Sequence, residues 1–169
     1  MKSASRLFIV LFGCLSSFTM ALDMPTQRVI LTVSGDMDNM LQDSQVKFDL
    51  PMLEALPQYS VTTNNPWTKG LHTYRGFSAI DLLAALNANG DVLEVTALNK
   101  YMTRVPVSDF VEHGAIFATH RDGVPMSIRN LGPIMLIYPF DQNESLKSEI
   151  YFGRSIWQIN HIKIVPSSE

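Results

Sequence analysis

The apolar positions of this chain fall into short runs with two periods. Strict alternation marks strands. Gln45 to Leu50 places Val46, Phe48 and Leu50 on one face, and Val92 to Leu98 places Leu93, Val95 and Ala97 on one fully apolar face. β-branched or near-continuous apolar runs mark more buried strands: Arg28 to Val33, Ala115 to Thr119 and Ile134 to Tyr138. Tyr101 to Val105 is the strand returning from Asn99-Lys100. Val124 to Ile128, with Pro125 near its start, suits an edge strand. Ile156 to Val165 carries Trp157 and Ile159 on one face and then changes phase to Ile162 and Ile164, which predicts a bulge near Asn160-His161.

Helical spacing is rarer. Ile80, Leu83, Ala84 and Leu86 give a helix stripe behind Ser78 as cap, with Asp81 three residues on as an approximate capping box and Asn89-Gly90 as the left-handed stop. Pro51 opens a short helix with Met52, Leu53 and Leu56 on its apolar side. Ser108 to His113 is a third, capped by Ser108 and ended by Gly114. Arg121-Asp122-Gly123 is a tight turn, Arg129 to Pro133 a loop, and Asp141 to Ser148 a polar excursion. The tally is an α+β domain with mainly β mixed sheets and a few short helices.

The N-terminus is read differently. Lys2 and Arg6 precede the apolar run Leu7 to Phe12, and small residues end at Ala21, the pattern of a cleaved secretory signal peptide over 1–21. The run is shorter than the roughly 20 residues that span a bilayer. The alternative is a lipoprotein anchored at Cys14, within Leu11-Phe12-Gly13-Cys14. Cleavage leaves 22–169 as a single domain of 148 residues with a formal charge of −5, a balance that argues against nucleic acid as partner. The only cysteine leaves with the leader, so the mature chain has no thiolate ligand.

Candidate chemistry gathers in Val61 to Gly76, VTTNNPWTKGLHTYRG. It reads as a strand that breaks at Asn64-Asn65-Pro66 into a loop carrying Trp67, His72, Tyr74 and Arg75. There is no trustworthy Ser-His-Asp spacing, no His-x-x-x-His and no Gly-rich phosphate loop. The arginines beside aromatics and glycines, Arg75, Arg104, Arg129 and Arg154, suit planar or anionic ligands. Singly each is more often a surface ion pair. With Trp67, Tyr101, Tyr151 and Trp157 they suit a pocket for a flat heterocycle.

A set of motifs in order carries a resemblance. It begins with Thr63-x-x-Pro66-Trp67, Tyr74-Arg75-Gly76-Phe77-Ser78-x-x-Asp81-Leu82-Leu83, Ala97-Leu98-Asn99-x-Tyr101 and Val105-Pro106. Ala118-x-x-x-Asp122-Gly123-x-Pro125-Met126, Gly132-Pro133, Tyr138-Pro139 and Arg154-Ser155-Ile156-Trp157-Gln158-Ile159 follow. Over Phe48 to Val165 the chain resembles the oxidoreductase molybdopterin-binding domain, the sulfite-oxidase fold. Enzymes of that family hold molybdenum through a cysteine on the loop after the strand ending near Thr62 to Asn64, and a lysine beside the late tryptophan meets the cofactor phosphate. Here there is no cysteine at that position or anywhere after Cys14, and Ile156 precedes Trp157. Thr or Asn does not replace a soft anionic sulfur ligand.

The chain is closer to a branch of exported, cysteine-less bacterial proteins that bind pterins without molybdenum. Those proteins regulate membrane-bound enzymes that make or degrade cyclic di-GMP (the GGDEF/EAL type). The resemblance therefore implies a periplasmic pterin-binding regulator without catalysis of its own. Its partner would be the periplasmic domain of such a signalling protein. Trp67 or Tyr101 would stack on the ring, Asn64 and Asn65 would read its edge, and Arg129 or Arg154 would meet a carbonyl or phosphate. His72, Arg75 and Trp157 complete the candidate site. The alternatives are a molybdopterin-dependent oxidoreductase and a ligand-free interaction module of the same fold.

Overall fold

The computed structural model describes residues 24–35, 37 and 45–165. The leader, its cleavage position and Cys14 lie outside the described residues. Two sheets carry the fold. In the first, β1 (Leu31–Gly35) is flanked by β2 (Gln45–Phe48) and by β10 (Ile159–Val165), followed outward by β5 (Val92–Ala97) and β6 (Met102–Pro106). Only β1 and β10 run parallel in it. The second joins β3 (Gln58–Asn65), β4 (Thr68–Phe77), β7 (Ile116–Arg121) and the two-residue β8 (Val124–Pro125), with β9 (Met135–Ile137) also on β7. The helices are α1 (Leu50–Glu54), α2 (Ala79–Ala85), α3 (Ser108–Glu112) and α4 (Glu149–Arg154). This is the α+β, mainly β class that the alternation predicts. None of these helices is long and apolar enough to cross a membrane.

The core is the inward face of both sheets. Leu93, Val95 and Ala97 are buried as the alternation of β5 requires, and the run Ile134 to Tyr138 is wholly buried. The predicted bulge is present: the register of β10 against β5 shifts between Ile159 and His161, which leaves Asn160 without a pairing partner on β5.

Several local features differ from the sequence reading. The stretch from Val61 to Gly76 is not a loop but a long hairpin. His72, Tyr74 and Gly76 alternate with Leu71, Thr73 and Arg75, and Tyr74 is fully buried. β4 then joins β7 so closely that a Cβ on Gly76 would lie 1.9 Å from the Phe117 carbonyl oxygen. In α2 the stripe is rotated: Ala79, Leu82 and Leu83 are buried, while Ile80 is exposed and Ala84 faces out. Its stop is Asn87, at φ 48°, not Asn89-Gly90. Ala88 N bonds Leu83 O and Asn87 N bonds Ala84 O, the double carbonyl closure of a Schellman end. Ser78 caps α2 by accepting from Ile80 N. Asp81 does not close a capping box; it hydrogen-bonds the Tyr59 hydroxyl instead. Its carboxylate is one methylene shorter than the glutamate that normally reaches back.

Elsewhere β1 begins at Leu31 rather than Arg28. β2 ends at Phe48 because Asp49 caps α1, accepting from Met52 N at 3.1 Å. α3 has Val107, not Ser108, at its cap. The polar stretch after Asp141 is anchored by Leu146, which is fully buried, and it leads into α4, which the sequence reading missed.

Candidate functional site

The turn between β3 and β4 is built around one buried hydroxyl. Asn65 Oδ1 accepts from Trp67 N and Thr68 N, at 3.0 and 3.1 Å, while Asn65 Nδ2 donates to Tyr74 Oη at 2.8 Å. This Asx turn holds Trp67 at the hairpin tip with little freedom. Its ring meets Trp157 (centroids 5.5 Å apart), Phe152 (6.1 Å, edge-on) and Phe140 (6.3 Å).

Opposite the tip, the turn after β5 presents Asn99 and Tyr101. Lys100 takes the left-handed conformation at φ 71°, and Asn99 Oδ1 accepts from Tyr101 N. The third wall is α4 and the strand that follows it. Phe152 and Gly153 come from the helix, and Ser155 turns the chain by donating its hydroxyl to Tyr151 O at 2.8 Å. Trp157 then bridges Met135 of β9.

These three segments enclose a cavity of about 380 Å³, with Ala97 and Ile156 among its other walls. That is the size of a small-ligand site, mostly apolar with a few polar groups. Because the two tryptophan rings already touch, no planar group fits between them. Both rings line the cavity, and Tyr101 lines it with them. The Tyr101 hydroxyl reaches Gly153 O at 3.4 Å.

Of the residues singled out by sequence, Trp67, Tyr101 and Trp157 line this cavity. The others are placed elsewhere. Asn64 sits at the irregularity in the β3–β4 register, where its backbone N–H and Nδ2 both donate to Asp141. Asn65 builds the turn. His72 pairs with Asp122 at 2.6 Å, and Arg75 reaches Glu54 and Gln58. Arg129 lines a separate groove.

Arg154 lies on the side of α4 away from the cavity. Its Nη1 donates to Asp109 at 2.9 Å, and its guanidinium lies 5.6 Å from the Tyr151 ring centroid. Asp109 is buried and also accepts from Tyr138 Oη at 2.5 Å. Burial, with Asp109 adding to it, drives the Tyr138 phenol far above its ordinary pKa, so it stays a donor. Tyr151, which the sequence reading also associated with the pocket, shares a hydrogen bond with His113 Nε2 at 2.9 Å. The wall residues that sequence reasoning missed are Phe152 and Gly153, on the missed helix α4, and Asn99, which had been read only as a turn residue and as part of a family motif.

The metal ligand that the motif resemblance implies has no counterpart in the side chains here. Near the expected ligand position Thr63 is fully buried, its hydroxyl donating to Asn64 O and accepting from Asp141 N. Among the described residues no group of three or more His, Cys, Asp or Glu could hold a metal ion. A molybdenum centre does not fit these residues. The aromatic lining has the chemistry that suits a flat ring.

No family model matches the chain, and no curated protein matches it either. Solved structures do. The crystal structure of the sulfane dehydrogenase SoxCD from Paracoccus pantotrophus aligns over 87% of this chain with a TM-score of 0.59 and 14% identity. The likeness is one of fold. It supports the sulfite-oxidase-type architecture that the motif order implies, and this chain spans 40% of the length of that one.

Proposed function

We propose that this protein is a periplasmic pterin-binding regulator, without catalysis of its own, that controls a membrane-bound enzyme of cyclic di-GMP turnover. The observation that carries the pterin reading is the open aromatic wall of Trp67, Phe152 and Trp157 facing Tyr101. Stacking on such a wall is worth about 0.5–1.5 kcal/mol per aromatic contact beyond area burial. Asn99 and backbone groups at the rim would read the donor and acceptor edge of the ring, the part first assigned to Asn64 and Asn65. The lack of any soft anionic donor beside the cavity separates this reading from a molybdopterin-dependent oxidoreductase.

Regulation requires that ligand bind one state of the protein better than another. Three separate segments close the cavity, so a bound ring ties the hairpin tip, the β5–β6 turn and α4 together. The partner assignment rests on the motif resemblance and on the export signal that the sequence pattern over 1–21 predicts.

The test is extraction of protein purified from the periplasm of its host, with pterin followed by fluorescence and mass spectrometry and molybdenum assayed on the same sample. Pterin near one per chain without molybdenum is the expected result. Stoichiometric molybdenum returns the chain to the enzymes. Neither group, with no binding of added pterin, leaves an interaction module.

A further inference from the structure

A second depression, of about 560 Å³, lies beyond the β5–β6 turn from the aromatic cavity. One wall is the extended run 28–32 entering β1; another is the run 126–129 after β8. Two features set it apart. Arg75, Arg104 and Arg154 are each held by a carboxylate. Arg28, Arg121 and Arg129 have no ion pair among the described residues, and Arg28 and Arg129 line this groove. Among the described residues no acidic side chain lines it, in a chain whose formal charge is −3. Between the arginines stand exposed apolar side chains, Val29, Leu98 and Ile128. Asn160, freed from pairing by the bulge in β10, also lines the groove, and its Oδ1 is buried with no hydrogen-bond partner.

We infer that this groove docks an acidic, apolar-anchored peptide segment of the regulated partner. The inference rests on the regulator reading above. An acidic peptide supplies what the groove lacks: carboxylates for two arginines and apolar side chains between them. A small carboxylate satisfies only the arginines. The groove also shares its frame with the aromatic cavity. Gln158, next to Trp157, donates from Nε2 to Ile128 O at 2.9 Å and accepts from Leu98 N at 2.9 Å. Leu98 lines the groove and Asn99 the cavity. A ring seated on Trp157 therefore bears on the two residues that form the groove's apolar floor.

The experiment titrates the 15N-labelled mature chain, without pterin, with acetylated and amidated hexapeptides alternating Glu with Leu, Lys with Leu, or Glu with Ser, and with acetate. The Glu–Leu peptide is expected to bind with amide shift changes at Val29, Leu98, Ile128 and Asn160. Its affinity should fall about tenfold in Arg28→Gln/Arg129→Gln and should weaken with salt. Both arginines are exposed, so an unchanged melting temperature verifies the fold of the double variant. Equal binding of the Lys–Leu peptide overturns the inference, and so does a Glu–Leu affinity no greater than that of acetate. Self-association of the chain that the double variant abolishes would also overturn it, by giving the groove to a second copy. Pterin binding followed separately by tryptophan fluorescence keeps the outcomes distinct: peptide binding lost with pterin binding kept contradicts this inference alone.

Discussion

The two sides of α4 have opposite character. On one side Phe152 and Gly153 form a wall of the aromatic cavity, where side chains touch through ring faces and edges. On the other side Tyr151 and Arg154 are tied to His113, Asp109 and Tyr138 by short polar contacts. The polar side is saturated: the carboxylate of Asp109 receives both the guanidinium and the phenol. The apolar side lines a cavity with aromatic rings. A guanidinium already bound to a buried carboxylate would have to break that pair to meet a ligand, whereas an open ring face loses nothing on stacking. The residue type that looks most ligand-like in the sequence, an arginine beside aromatics, is tied into the scaffold here, and in the proposed function the aromatics are the binding surface.

The largest predicted effect breaks the saturated side. Asp109→Ala leaves Arg154 and the Tyr138 hydroxyl without their acceptor in a mostly buried site. The cost should be about 3–5 kcal/mol, the range for removing one partner of a buried pair, read from urea denaturation. Asp109→Asn should cost less, because an amide oxygen still accepts from Tyr138.

Next comes the open side. Trp67→Ala removes ring contacts to Trp157, Phe152 and Phe140 from a half-buried position. It should weaken pterin binding about tenfold, with a stability loss of about 2 kcal/mol. Unchanged pterin affinity in this variant would show that the wall does not stack.

A third prediction concerns pH. Burial and the Arg75 charge hold His120 below its ordinary value of 6.5, against the opposing pull of Glu54. Burial, Lys163 and Lys100 do the same to His161. Each histidine binds its proton more readily in the unfolded chain. Their contribution is therefore complete above pH 6.5 and is lost as pH falls from there through the folded values. The urea midpoint should drop between pH 7.5 and 5.5, and the drop should shrink in His120→Gln. A flat midpoint across that interval contradicts the assignment.

The smallest predicted effect is at Gly153, where an added Cβ meets nothing within 4 Å. Gly153→Ala should raise stability by about 0.5–1 kcal/mol, through helix propensity, and leave pterin affinity within about twofold.

The fold was legible wherever period and turn chemistry agree. The alternation in β5, the apolar run of β9, the phase change at Asn160-His161 and the Asp122-Gly123 turn all appear where the pattern puts them, because each is a local steric requirement. Trp67, Tyr101 and Trp157 could be grouped from their aromatic character and motif order alone. What stayed hidden depends on distant partners. The α2 stripe rotates because tertiary packing selects Leu82 over Ala84. The hairpin was obscured by its polar face, since the buried member, Tyr74, carries a hydroxyl that the turn needs. The arginines could not be sorted into tied and free from sequence, because Asp109 lies 45 residues from Arg154. α4 was missed because it is only six residues long and mixed in character.

The most direct test of the central contrast is calorimetric titration of a pterin into the wild-type chain, Trp67→Ala and Arg154→Gln, each first shown to be folded. Affinity should fall about tenfold in Trp67→Ala and stay within about twofold in Arg154→Gln, whose melting temperature drops instead. Affinity lost on changing Arg154 and kept on changing Trp67 would contradict it, by making the tied arginine the binding group and the aromatic wall the scaffold.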